Sequence, residues 1–298
     1  YNPSILCSII LAVSVGGGFF MKTPIYKKWW FWSAIIIFIA IIGVLVWYFQ
    51  FKKPYNLAVK NYNQAVEMVE IKNTDLDSAI NRVEVLLNSG EPAFDEVVVE
   101  NAESTVSDAK NAKRQIGDMP NNTEEIVART SELNEPLDYT AEIRTLNDAE
   151  KTLSDSIELM KQLTNPSEEF VISRLQTIMD ASAIQAVTED HDPNGNLNKA
   201  GGYTAAIYFS SPLVDISTVY GADIVERGVD GGGCVEVYAN VEDAEKRNTY
   251  LSGFDGAGIL SPGSHSVLGT MVIRTSDKLT ASQQKELEAE IIDVLIKQ

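Results

Sequence analysis

The chain predicts three parts in series: an N-terminal transmembrane helix, an all-α helical-bundle or coiled-coil stalk, and a C-terminal α+β two-layer domain with about four strands. Three observations carry this. The twenty-one residues from Trp29 to Phe49 hold no charge. From Pro54 to Pro166 apolar positions recur at steps of three and four, with no alternating run. Beyond Pro166, short β-branched and aromatic runs alternate with helical ones.

The apolar stretch comes first. At ~1.5 Å of rise per residue it covers roughly 31 Å as a helix, about one hydrocarbon core. Lipid offers the backbone no partner, and no barrel pattern is present, so the segment must be helical. Trp29, Trp30 and Trp32 crowd one end, with Trp47 and Tyr48 at the other, where amphipathic rings favour the interface. Lys22, Lys27 and Lys28 precede it and Lys52 and Lys53 follow. That bias predicts a single-pass protein of the cell membrane, anchored by residues 21–53 with its C-terminal bulk extracytoplasmic. Residues 1–20 carry two readings. They form a short hydrophobic segment, or they are translated leader and not protein, since Met21-Lys22-Thr23-Pro24 resembles a start and codons for Gly16-Gly17-Gly18 can spell a ribosome-binding site.

Charge divides unevenly. Residues 1–53 carry a net +5, residues 54–166 carry −12 and residues 167–298 carry −11, for a total of −18. Bulk this acidic is repelled by nucleic acid and by anionic lipid, which excludes nucleic-acid binding. Two cysteines, Cys7 and Cys234, lie far apart, and Cys7 sits in an apolar run, so no bridge between them is expected. A disulfide-free extracytoplasmic chain relies on its cores and suits a bacterium that makes little use of disulfides.

Within the stalk, residues 54–166, breaks fall at Ser89-Gly90-Glu91-Pro92, at Met119-Pro120-Asn121-Asn122 and at Asn134-Glu135-Pro136. Thr74 or Asn73 reads as the cap of a helix through Leu87, with Leu76, Ile80, Val83 and Leu87 on one face. Tyr139, Ile143, Leu146, Glu150, Leu153, Ile157 and Met160 form a narrow seam with one charged interruption. In residues 167–298, Ser167 caps a short helix. Strand-like runs follow at Ile184 to Thr188, Tyr203 to Phe209, Cys234 to Tyr238 and Val267 to Thr275. Helical stretches lie at Val219 to Arg227, Val241 to Leu251 and Ala281 to Ile296. The order predicts helices on one face of a small sheet.

With both ends read, the chain resembles a group of Gram-positive membrane-anchored surface proteins often labelled extracellular-matrix-binding homologues (Ebh-like). The run Pro24-Ile25-Tyr26-Lys27-Lys28-Trp29-Trp30-Phe31-Trp32 is similar to an anchor recurring at the start of Firmicute membrane proteins. The run from Ile184 to Lys199, with Thr188-Glu189-Asp190-His191-Asp192-Pro193-Asn194-Gly195 at its centre, resembles the group's C-terminal domain. So do Gly231-Gly232-Gly233-Cys234-Val235-Glu236-Val237-Tyr238 and Gly269-Thr270-Met271-Val272-Ile273-Arg274-Thr275-Ser276. The resemblance implies surface location more directly than matrix binding, and it brings no catalytic residues.

The sharpest motif for chemistry runs from Asp190. Oxygen side chains at Asp190, Asp192 and Asn194, then Gly195, match the opening of a calcium loop, with Asn196 and Asn198 as further ligands. Gly201 replaces the closing Glu and Pro193 interrupts the loop, so the site is expected to be weak. The alternative is a polar hairpin loop built from turn formers. No other cofactor is expected. A zinc site on His191 or His265 needs carboxylates or Cys234 brought in from afar. Ser264-His265-Ser266 is a string and not a triad, and its histidine reads as a turn or surface residue. Asp230-Gly231-Gly232-Gly233 precedes a strand and lacks the helix N-terminus of a phosphate cradle. Arg274 reads as a partner for a ligand carboxylate or for a rim ion pair. The expected function is therefore non-enzymatic: presentation of a module that binds a surface, wall or host protein. An envelope-acting enzyme and a regulatory partner of a membrane complex are the alternatives.

Overall fold

A computed structural model describes residues 29–180, 183–258 and 261–297. Residues 1–20 and the lysines at 22, 27 and 28 lie outside the described residues. The chain divides into two compact units, residues 1–71 with 115–137 and residues 72–114 with 138–298.

The first unit opens on α1 (Trp29–Trp47), apolar on all sides and without a buried residue. It continues through a π-helical turn at Tyr48–Lys52 into α2 (Lys53–Leu87), as one helix from Trp29 to Leu87. Pro54 accounts for the wide turn. Proline has no N–H, and its ring clashes with the carbonyl four residues back, here Gln50. A π turn moves that carbonyl aside, and the Lys53 N–H bonds Tyr48 five residues back. Ala58, Tyr62, Ala65 and Val69 on α2 pack with Ile126 and Leu133 of α4 (Thr123–Leu133). Asn122 caps α4 by accepting from the Glu125 N–H at 2.8 Å.

The second unit takes residues 72–87 of α2, then α3 (Glu96–Ala112), α5 (Thr140–Gln162) and the sheet. Tyr139, Leu146, Leu153 and Ile157 of the expected seam are buried. Its charged interruption is satisfied sideways, with Glu150 accepting from Arg82 Nε at 2.8 Å. Asn73 does not cap a helix. It sits buried inside the unbroken α2, donating to the Arg114 carbonyl at 3.0 Å and accepting from the Tyr139 hydroxyl at 2.9 Å. Partners distant in sequence satisfy its amide, so no break is needed.

The sheet has five antiparallel strands in the order β1-β2-β3-β5-β4, where four runs were expected. They are β1 (Ile184–Ala186), β2 (Tyr203–Ser210), β3 (Gly232–Tyr238), β4 (Ser264–Leu268) and β5 (Met271–Thr275). The run Val267 to Thr275 splits into a hairpin at Gly269, whose φ of +59° L side chains rarely adopt. Helices cover both faces, not one. On one side Ile207, Phe209, Val235, Val237 and Ile273 pack with α6 (Glu168–Leu175) and α9 (Ala281–Ile296). On the other, Ala206, Tyr208, Cys234 and Val272 pack with α7 (Ile224–Arg227) and α8 (Val241–Ser252). The helix expected over Val219 to Arg227 is shorter because Asp223 caps it in extended conformation.

The sheet's core also draws on the last turn of α5. Leu163 is fully buried in it, and Leu159 packs alongside. The Leu163 carbonyl accepts from the Thr270 N–H at 3.0 Å, and Gly269 lies so close that a Cβ there would stand 2.4 Å from that oxygen. These residues precede the expected domain boundary at Pro166. Leu163→Ala should lower the stability of the α+β core by about 2–5 kcal/mol, the range for a buried leucine. Leu213→Ala, at an exposed position, should stay within about 0.5 kcal/mol. Thermal unfolding followed by circular dichroism on the full chain in detergent checks both.

Candidate functional site

The residues of the Asp190 motif lie in the β1–β2 connection, which an isolated bridge between Thr188 and His191 pinches at its base. Asp192 is the keystone of this loop. Its carboxylate accepts from the Asn194 N–H at 3.1 Å, the Asn196 N–H at 2.7 Å, the Leu197 N–H at 2.8 Å and the Tyr203 hydroxyl. Burial pushes this carboxyl up, but the Tyr203 hydroxyl and the backbone donors outweigh it and hold it below its ordinary 3.8. Asn194 donates to the Tyr208 hydroxyl at 2.8 Å, and Asn198, at φ +57°, donates to Glu189 at 3.3 Å. Asp190 is exposed in a turn, and the Asn196 N–H is taken up by Asp192. Asp192 thus serves as a turn-closing acceptor, and a calcium ion there would compete with four donors.

His191 turns away from this set. Its Nε2 lies 2.9 Å from Asp223 Oδ2 on the β2–β3 connection. Gln185 of β1 braces the same place, accepting from the Ile224 and Val225 N–H groups and donating to Asp223 at 3.4 Å. Asp223 is held below 3.8, first by the Glu226 N–H it caps, against burial, with Gln185 and His191 adding to the effect. Glu226 accepts from the Ala222 N–H at 2.7 Å. Asp223 and Glu226 stand more than thirty residues from His191, and no local motif announces them.

Under α8 the second face holds a buried charge cluster. Glu236 of β3 has no exposed surface. It accepts from Arg247 at 2.8 and 2.9 Å, from Arg274 at 2.9 Å and from the Tyr238 hydroxyl at 2.9 Å. Arg274 is therefore ion-paired inside the domain and not at its rim, and neither guanidinium reaches outward for a ligand. Burial raises the Glu236 carboxyl, yet the Arg247 hydrogen bonds and the Arg274 and Arg247 charges together hold it below its ordinary 4.5. The signal was present in the sequence as a lone charge between Val235 and Val237. Burial pushes the neighbouring Cys234 thiol well above its ordinary value, which leaves it unreactive.

His265 is not a surface residue. Its side chain is buried in β4, with Nδ1 2.6 Å from Asn248 Oδ1 and Nε2 3.1 Å from Asp255 Oδ1. Ser264 donates to Glu288 and not to this ring. The glycines before β3 serve packing, since a Cβ at Gly233 would lie 2.3 Å from the Phe209 ring. No family model matches the chain, and no curated protein or solved structure matches it.

The Glu236 cluster carries a prediction. A carboxyl depressed in the folded state contributes stability above its unfolded value near 4.5, lost as pH falls toward its folded value. Thermal midpoints should therefore drop as pH is lowered below 4.5, and the drop should shrink in Glu236→Gln. Glu236→Ala should cost about 3–5 kcal/mol at neutral pH, because two guanidiniums stay buried without their counter-charge.

Proposed function

We propose that this is a single-pass, membrane-anchored bacterial surface protein. Its acidic C-terminal bulk lies outside the cell and presents the α+β module, on a helical stalk, to a surface, wall or host protein. The observation that carries the reading is α1, nineteen residues without one buried side chain. An apolar helix bare on every side is unstable in water and suits a hydrocarbon surround. Its aromatic ends, Trp29, Trp30 and Trp32 against Trp47 and Tyr48, match the two interfaces of a bilayer.

Charge supports the direction. The lysines before the helix favour the cytoplasm, and the acidic residues beyond it are repelled by anionic headgroups. The likeness to Ebh-like surface proteins agrees with display, and binding is the role that requires least of side chains committed to one another in the interior.

Protease added to intact protoplasts should remove residues 54–298 and leave a short protected fragment around α1. Full protection of the C-terminal bulk would overturn the topology.

A further inference from the structure

Among the described residues, three metal-ligating side chains converge at one place. A ring nitrogen of His191 and one carboxylate oxygen each of Asp223 and Glu226 lie within 4.8 Å of one another. We propose that these three residues bind a divalent cation of the zinc class.

The donor set comes from two connections of one domain, His191 from β1–β2 and the two acids from β2–β3. Each acid uses one oxygen locally. Asp223 Oδ1 accepts from the Glu226 N–H at 2.9 Å, and Glu226 Oε2 accepts from the Ala222 N–H at 2.7 Å. Asp223 Oδ2 faces His191, and Glu226 Oε1 carries no hydrogen bond among the described residues. Gln185 donates at 3.4 Å to the same Asp223 Oδ2 that faces His191, and so helps to orient this carboxylate. Neither acid has a lysine or arginine within ion-pair distance among the described residues, so two negative charges meet around one imidazole. A divalent cation neutralises that arrangement.

The chemistry selects the ion. One imidazole and two carboxylates are ligands that zinc takes readily, with water in the fourth position. Calcium needs six to eight oxygens and gains little from a ring nitrogen. Ligand atoms around a tetrahedral zinc stand roughly 3.3 Å apart, given bonds of about 2.0 Å. Side-chain rotation closes the present spacing, since His191 and Asp223 are each more than a third exposed. Water reaches the remaining position for the same reason. Bound there, the ion would staple the β1–β2 loop to the connection carrying α7 and stiffen that end of the module.

The test uses the full chain in detergent, stripped of metal with a chelator that is then removed, with Zn²⁺ as the probe in titration calorimetry. Saturable one-to-one binding is expected, and Co²⁺ in its place should develop visible absorption of a low-coordinate site. Asp223→Asn and Glu226→Gln keep an oxygen to accept from the Glu226 and Ala222 N–H groups, and these two and His191→Gln should each weaken binding at least about tenfold. Unchanged thermal midpoints in the three metal-free variants would confirm that the fold is intact. Three outcomes overturn the proposal: no binding to the unmutated chain, equal binding in all variants, or a loss confined to His191→Gln. Excess Ca²⁺ should not displace the zinc, and displacement by calcium would also contradict the assignment.

Discussion

Trp29–Trp47 turns apolar side chains outward in every direction, and nothing among the described residues buries them. In water such a surface is costly at roughly 25 cal/mol for each Å² exposed, and no other part of the described chain has a comparable need. The helix does not end where its apolar stretch ends. It continues into α2 without a hinge, because the π turn at Tyr48–Lys52 absorbs Pro54 without breaking the backbone hydrogen bonding. Whatever surrounds α1 therefore sets the direction in which α2 leaves it. In the proposed arrangement that surround is the bilayer, and the aromatic residues at both ends mark its limits.

The C-terminal module depends on a second constraint. Glu236 is a charge without access to water, tolerable only where every lone pair is met. Arg247 from α8, Arg274 from the neighbouring strand and Tyr238 two residues on meet it together. One pairing fixes the seat of α8, another ties β3 to β5, and both hold only in the observed register. On the opposite face the end of α5 locks against the β4–β5 hairpin through Leu163 and Thr270. The end of α5 and the sheet of this unit therefore share one core.

Most elements were legible because their signals are local. Stripes along α5, the Ser167 cap and the glycine and proline breaks all act over a few residues. Most of the misreadings share a cause in long-range partners. Val267 to Thr275 looked like one strand because its apolar content is continuous, while the turn rests on Gly269 meeting Leu163. One covered face was expected where β3 in fact buries both Val235 and Cys234, on opposite sides. A strand apolar on both sides is itself the sign of a sheet covered twice. Asn73 looked like a cap because its partners, Arg114 and Tyr139, lie far along the chain. The meeting of His191 with Asp223 and Glu226 was hidden for the same reason, whereas the spacing from Asp190 to Asn198 was plain but reflects in part a loop closed by Asp192.

The central claim is that α1 crosses a bilayer, and the depth of its middle residue tests it most directly. The chain has four tryptophans, all in this helix, and Ile39 is midway between Trp29 and Phe49. Replacing Trp29, Trp30, Trp32 and Trp47 with phenylalanine and making Ile39→Trp leaves one tryptophan, excited selectively over the tyrosines, about 15 Å from either end of a spanning helix. In vesicles with bromines placed shallow or deep on the acyl chains, a crossing helix predicts blue-shifted emission, quenched most by the deep label. Emission quenched mainly by the shallow label, or by neither, would mean that the helix lies on the surface or outside the membrane, and would contradict the account.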